Sequence, residues 1–182
     1  MTFSSDLVFN GEKQTPYIEP DSVKPLNIYG QSKARSESLV MNNFSTSLII
    51  RTSAFFGPWD HYNFALYILN SLKENRDCMA VNDVTISPTY VPDLVNRSLD
   101  LLIDEEKGIW HLTNDGMLTW SEFAEIIALR GGYKKKNIIS RCQHELAWKA
   151  KRPAYSVLQS GKGIKLPTLE HAMNRFFKEK IT

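Results

Sequence analysis

Apolar and polar positions follow two rhythms along this chain, short continuous runs and helical stripes, and the two take turns. Residues 3–9 (FSSDLVF) begin as a strand-like segment, and Asn10-Gly11 then turns the chain into a proline-punctuated loop reaching Pro25. Asn27 stands where it can cap a helix over residues 28–41. Residues 47–53 (SLIIRTS) form a compact β-branched run, the pattern of a strand buried on both faces, and Gly57-Pro58 ends it. A broad apolar stripe through Phe64, Ile68, Leu69 and Leu72 predicts a helix over residues 63–74.

Beyond it come a short strand at 79–81 and an extended piece bracketed by Pro88 and Pro92. A helix is expected to open at Asp93, and a strand to follow at 108–113 (GIWHLT). Thr119-Trp120-Ser121-Glu122 has the spacing of a reciprocal capping box, so a helix starts there and stops at Gly131-Gly132. Ile138-Ile139 reads as one more strand, Arg152-Pro153 begins a loop, and an amphipathic helix starting at Thr168 closes the chain. Strands alternating with helices predict an α/β fold on a largely parallel sheet. From about residue 63 the strands shorten, which suggests a small lobe beside that sheet.

Composition narrows the classes. The chain has 182 residues, enough for one domain with a small appendage, and 42% of them are hydrophobic. A net charge of +2 is too small to point to nucleic acid or to a membrane surface. Lys134-Lys135-Lys136, behind two glycines, reads as a solvated turn. Cys78 and Cys142 form neither a disulfide framework nor a zinc pattern, and the four histidines share no helical ligand spacing, so no metal site is expected. No apolar run approaches the roughly 20 residues that span a bilayer, and the first residues lack a signal-peptide layout, so a cytoplasmic location is expected.

The candidate chemistry lies on the first predicted helix. Tyr29 and Lys33 are four apart and share one face. A phenol, with its usual pKa near about 10, is a poor acid–base group at neutral pH, and a nearby ammonium favours its ionised form. Such a tyrosine can pass a proton to a carbonyl oxygen as hydride reaches the carbon. A hydroxyl from the opening strand would hold that carbonyl, and Ser5 is the candidate.

Spacing of this kind recurs by chance; the ordered blocks around it are more specific. They run Ser4-Ser5-Asp6-Leu7-Val8-Phe9-Asn10-Gly11, then Pro16-Tyr17-Ile18-Glu19, then Pro25 to Lys33 (PLNIYGQSK). Arg51-Thr52-Ser53, Asn63-Phe64, Ser87-Pro88-Thr89-Tyr90, Asp93-Leu94, Arg152-Pro153 and Leu166-Pro167 continue the series. Together they resemble the extended short-chain dehydrogenase/reductases, and among these the dTDP-4-dehydrorhamnose reductase family. The resemblance implies a partial Rossmann-like parallel sheet with a small α+β substrate-binding lobe. Residues 1–62 would belong to the catalytic domain, and residues 63–182 mainly to the sugar-nucleotide-binding lobe and closing helix. It also implies NADPH or NADH as cofactor and a 4-keto-6-deoxy sugar nucleotide as substrate.

By position, Tyr29 would be the proton donor, and Lys33 would tune it and hydrogen-bond the nicotinamide ribose. Ser5 would bind the reacting carbonyl, with Asp6 beside it lining the sugar site and Asn63 facing the nucleotide sugar. Asp6 could equally cap a turn, and Asn63 its own helix. Ala54 stands at a substrate position where the family usually carries an aromatic residue, with Phe55, Phe56 and Trp59 nearby; Val84 and Ile86 replace a usual glutamine and glycine. With nine glycines and no GxGxxG or GxxGxxG, the chain is expected to lack the front half that receives the cofactor's phosphates and to be inactive alone. Its partners would then be that half or a fused neighbour. The blocks also resemble the regulatory β subunit of methionine adenosyltransferase, which leaves a non-catalytic binding module as the alternative.

Overall fold

A computed structural model describes residues 1–180. The strands are β1 (Thr2–Ser5), β2 (Leu48–Thr52), β3 (Phe55–Phe56), β4 (Cys78–Val81), β5 (Thr85–Ile86), β6 (Thr89–Tyr90), β7 (Gly108–His111), β8 (Asn114–Asp115), β9 (Leu118–Thr119), β10 (Ile138–Arg141) and β11 (Leu166–Thr168). The helices are α1 (Ile28–Asn43), α2 (Phe64–Lys73), α3 (Val91–Ile103), α4 (Trp120–Arg130) and α5 (Leu169–Lys180). The principal sheet is parallel, in the order β1-β2-β7. Every residue of β2 is buried, as the continuous run in the sequence predicts for a strand covered on both faces.

Around it lie short pairs: β3–β6, β4–β10 and β8–β11 are parallel, and β5–β9 is antiparallel. The fold is therefore α/β with parallel pairing dominant. β7 returns from beyond residue 63 to complete the principal sheet, so a boundary at 62/63 passes through that sheet, with β1 and β2 on one side and β7 on the other.

Two local departures from the expected elements have clear causes. The strand expected over residues 3–9 ends at Ser5, because the Ser5 side chain accepts the Leu7 N–H and caps a 3-10 turn over Asp6–Val8. Helix α3 starts at Val91, two residues before Asp93, since Pro92 fits a first helical turn, where its missing N–H is not needed. Asp93 then takes both ends of the Arg175 guanidinium (2.6 and 2.5 Å) and the Asn114 amide (2.8 Å), joining α3 to α5 and β8.

The larger core lies among α2, α4, α5 and the short strands, with Phe56 edge-on to Phe123 and Phe176 at 5.5 and 5.7 Å between centroids. A second packs Leu94 and Leu101 of α3 on Leu48, Ile50 and Trp110 of the sheet. The third is small: Val8, Phe9, Tyr17 and Leu158, with Phe9 and Tyr17 stacked at 4.1 Å.

Against this third core lies a buried polar network. Arg51 of β2 forms a two-pronged pair with Glu37 of α1, Nε to Oε1 at 2.9 Å and Nη2 to Oε2 at 2.7 Å. Its Nη1 donates to the Glu19 carbonyl and to His111 Nε2, each at 3.3 Å, and the guanidinium lies 5.1 Å from the centre of the Phe9 ring. Nε2 of His111 thus accepts, and Nδ1 donates to the Tyr17 and Gln159 carbonyls at 3.0 and 3.2 Å, so the imidazole is neutral with its proton on Nδ1. Burial first, and Arg51 second, push the His111 pKa down to about 4 against the pull of Glu19. The Glu19 carboxylate accepts from His111 N, Ser160 Oγ and Gly161 N (3.0, 2.8 and 2.8 Å), and these donors outweigh burial and leave its pKa below the usual carboxylate value. Among the described residues no helix is long and apolar enough to cross a membrane.

Two outcomes follow from this network. Glu37→Ala leaves the Arg51 charge buried without its carboxylate and should destabilise the fold by about 3–5 kcal/mol in urea unfolding. The acid side has a definite sign. Below its ordinary pKa of 6.5 an unfolded His111 takes up a proton that the folded one refuses until about 4, so stability falls as pH drops through that window. Glu19, with its lowered pKa, acts in the same direction further down. His111→Asn, which keeps a donor near the Nδ1 position, should flatten the pH dependence of urea unfolding between pH 6.5 and 4.

Candidate active site

The C-terminal ends of β1 and β2 open on a cleft of about 270 Å³. Its floor is Ser4 to Leu7 and Thr52 to Ala54; Phe55, Val84, Ile86 and Trp120 form one wall, and Arg152, Pro153 and Ser156 another, with Tyr29 at its side. A larger apolar groove of about 390 Å³, between α4 and α5, contains none of the candidate chemistry.

Tyr29 reaches the cleft because α1 approaches the 3-10 turn very closely. Asn27 Oδ1 accepts the Gly30 N–H at 2.8 Å and starts the helix, while Asn27 Nδ2 donates to the Lys151 carbonyl at 2.9 Å. One side chain therefore sets both the first turn of α1 and the wall at residues 151–153. Gly30 sits so close to the Leu7 carbonyl that a Cβ there would lie 2.1 Å from its oxygen. Only glycine permits that approach, and it brings the first turn of α1 against the end of β1. Tyr29 remains 52% exposed, with room for a ligand against its ring. One turn on, the Lys33 ammonium lies 5.7 Å from the centre of that ring and donates to the Phe3 carbonyl at 3.2 Å.

Ser5 is buried and its hydroxyl is already engaged, donating to Asp6 Oδ1 at 3.0 Å while accepting from Leu7 N at 3.1 Å. Asp6, 7% exposed, also accepts from Ser53 Oγ at 2.9 Å. Burial raises its pKa above the usual carboxylate value, and the hydroxyls of Ser156, Ser53 and Ser5 draw it partly back. The cleft floor is thus a buried carboxyl ringed by hydroxyls. Ser156 arrives through a zip of backbone bonds: Thr85 N to the Ala154 carbonyl (2.9 Å), Ser156 N to Thr85 (3.0 Å) and Tyr17 N to Val157 (2.8 Å).

Ala54 lines the cleft in a left-handed conformation, φ 44°, which costs a residue with a Cβ about 1 kcal/mol. Its carbonyl accepts from Thr89 N at 3.1 Å, and the kink redirects the chain from β2 into β3. Asn63 stands elsewhere: its Oδ1 caps α2 through Leu66 N, and its Nδ2 donates to the carbonyls of Gly57 and Asp60. It lines no part of the cleft, and of its two readings the geometry gives the cap. Trp59 is 69% exposed and is not among the residues that line the cleft with Ala54.

The indole at the cleft is Trp120, read in the sequence only as part of a capping box, and packed edge-on to Phe64 at 4.7 Å. Ser53, Ser156 and Arg152 were likewise given no role by the sequence. Ser53 and Arg152 lay within quoted blocks, whereas Ser156 carried no signal at all.

Comparison with known proteins fits this geometry. The pattern of the family described as the RmlD substrate binding domain matches residues 1–181. The chain belongs to that family. Among curated relatives, a spore coat polysaccharide biosynthesis protein of Bacillus subtilis, SpsK, is 38% identical over 155 residues, covering 85% of this chain and 54% of that protein. The dTDP-4-dehydrorhamnose reductase of Sinorhizobium fredii is 30% identical over 189 residues, 94% of this chain and 63% of that one. The dTDP-4-dehydrorhamnose reductase of Bacillus anthracis, solved in complex with NADP, superposes with a TM-score of 0.91 at 33% identity, covering 97% of this chain and 64% of that one. This RmlD-family chain thus spans 54 to 64% of the length of these three relatives.

The approach at Gly30 is the constraint most open to test. Gly30→Ala should push α1 off the 3-10 turn, destabilise the fold by about 1–3 kcal/mol in thermal unfolding, and shift the Tyr29 ring resonances in NMR spectra. Unchanged stability and spectra would show that the contact does not position the tyrosine.

Proposed function

We propose that this chain carries the substrate-binding and proton-donating part of a nicotinamide-dependent nucleotide-sugar reductase, acting on a 4-keto-6-deoxy sugar linked to dTDP. The observation that carries this reading is the shared cleft of Ser5, Asp6 and Tyr29, with the Lys33 ammonium against the Tyr29 ring. The family assignment supports it, as do the activities named for the relatives.

The residues present suit the nicotinamide-riboside end of such a cofactor. Lys33 spends one of its three N–H groups on Phe3, which leaves two for a sugar diol, and Tyr29 is open to the same side. A nicotinamide cofactor, NADPH or NADH, would supply the hydride. Ser5 swings its proton from Asp6 to the substrate oxygen and holds the carbonyl. Tyr29 then gives its phenolic proton to that oxygen as the carbon is reduced, and recovers a proton from solvent. Asp6 keeps Ser5 oriented, and the exposed Arg152 guanidinium at the cleft offers a counter-charge for a diphosphate. Trp120, Phe55 and Ala54 provide an apolar face for the sugar ring or base.

Two measurements test this. A dTDP-linked 6-deoxyhexose should show saturation-transfer NMR contacts with the chain, and Arg152→Ala should weaken that binding about tenfold. In the chain joined to the part of the Bacillus anthracis relative that it does not cover, NADPH or NADH oxidation by a dTDP-4-keto-6-deoxy sugar should fall at least about a hundredfold in Tyr29→Phe. Turnover that survives Tyr29→Phe intact removes the tyrosine as the acid.

A further inference from the structure

Cysteines and histidines form no ligand pattern along the sequence, but folding draws two of them together with an aspartate. The β4–β10 pair runs in register to Val81↔Arg141, so the residues that follow each strand emerge side by side. After β4 comes Asn82-Asp83; after β10 comes Cys142-Gln143-His144, entering a 3-10 turn over Gln143–Glu145. A carboxylate oxygen of Asp83, Cys142 Sγ and an imidazole nitrogen of His144 all lie within 4.8 Å of one another, the one such grouping of three among the described residues. We infer that Asp83, Cys142 and His144 bind a divalent transition-metal ion of the zinc type, at a surface site separate from the cleft.

The scaffold around these groups is already ordered. Asn82 N donates to the Arg141 carbonyl at 3.0 Å and Gln143 N to Asp83 Oδ1 at 2.8 Å, so the two segments are bonded in both directions. Glu145 accepts the Cys142 N–H at 2.7 Å and returns its own N–H to the Cys142 carbonyl at 3.0 Å, which fixes the turn that carries both Cys142 and His144. Gln143 N engages Oδ1 of Asp83, and a carboxylate carries a second oxygen that can accept an ion. The Cys142 sulfur accepts the Glu145 N–H in the capping box of this turn and lies 3.5 Å from Asn82 Oδ1, contacts that a bond to a metal would replace.

The donor set selects the ion. A thiolate with an imidazole suits zinc, whereas magnesium and calcium take oxygen ligands. Zinc bonds of roughly 2.0–2.3 Å require ligand atoms about 3.3–3.8 Å apart, so atoms already within 4.8 Å need to close by at most about 1.5 Å. Asp83 and His144 are both exposed, and their side chains can turn without disturbing a core. As the sulfur–metal bond forms the thiol proton leaves to solvent, and water completes a fourth position; binding therefore weakens as pH falls.

Cobalt(II) reports on the site directly. The untagged full chain titrated with cobalt should develop a near-ultraviolet thiolate-to-cobalt band that saturates at one ion per chain and is displaced by one equivalent of zinc. Cys142→Ser should abolish the band, and Asp83→Asn and His144→Ala should each weaken binding about tenfold or more. Zinc should also protect Cys142 of the unaltered protein from alkylation, read by peptide mapping, a measurement that needs no variant. Absence of the band at saturating cobalt, its survival in Cys142→Ser, equal affinity in His144→Ala, or equal alkylation with and without zinc would each overturn the inference.

Discussion

One guanidinium holds the architecture to a single arrangement. Arg51 lies on a strand buried along its whole length, 2% exposed, and a charge so placed must find partners on every side. It finds them on α1 through Glu37, on the loop after the 3-10 turn through the Glu19 carbonyl, and on β7 through His111. Glu19 and His111 in turn grip residues 159–161 near the far end of the chain. A hydrophobic core tolerates sliding of its layers, but this network does not, because each displacement strands a buried donor or acceptor. The helix that carries Tyr29, the strand that carries Ser5 and the strand that leads into Ser53 are therefore held in a fixed relation.

The site inherits that fixity and adds strain of its own. Asp6 is kept buried among hydroxyls, Ala54 takes a left-handed backbone, and α1 stands where no residue but glycine fits. Each of these works against stability when considered alone. Their concentration around one cleft, beside a network that fixes the surrounding elements, is the arrangement expected where function rather than folding sets the local geometry. Lys33 illustrates the economy of the arrangement: a single ammonium contacts the Tyr29 ring and ties α1 to β1 through the Phe3 carbonyl.

How much of this the sequence disclosed depended on whether the cause was local. The stripe of α2, the capping box of α4 and the all-apolar run of β2 follow from neighbours in the chain, and each formed close to where it was expected. The two-residue strands β3, β5, β8 and β9 have no local signature; partners distant in sequence create them. Helix α1 was legible from Asn27 and the Tyr-Lys spacing and not from amphipathicity, since it fully buries only Gly30 and Glu37. Tyr29, Lys33, Ser5 and Asp6 were readable as a motif, whereas Trp120 was legible only as part of a capping box and Ser156 not at all, because their place at the cleft is set by partners distant in sequence. Asp83, Cys142 and His144 were hidden for the same reason, lying on segments that meet only after two strands pair.

The reach of residues 154–161 back to the front of the chain has a consequence for the order of events during synthesis. Tyr17 pairs with Leu158, and Glu19 binds Ser160 and Gly161 across more than 140 positions. Until residues 154–161 have left the ribosome, Glu19 lacks most of its donors, His111 lacks a carbonyl, and the wall carrying Ser156 does not exist. The nascent polypeptide can assemble α1 to α4 and the central strands early, but the cleft matures only once residues 154–161 have emerged. Until then its polar floor stays open to water, and to the chaperones that attend an unfinished protein.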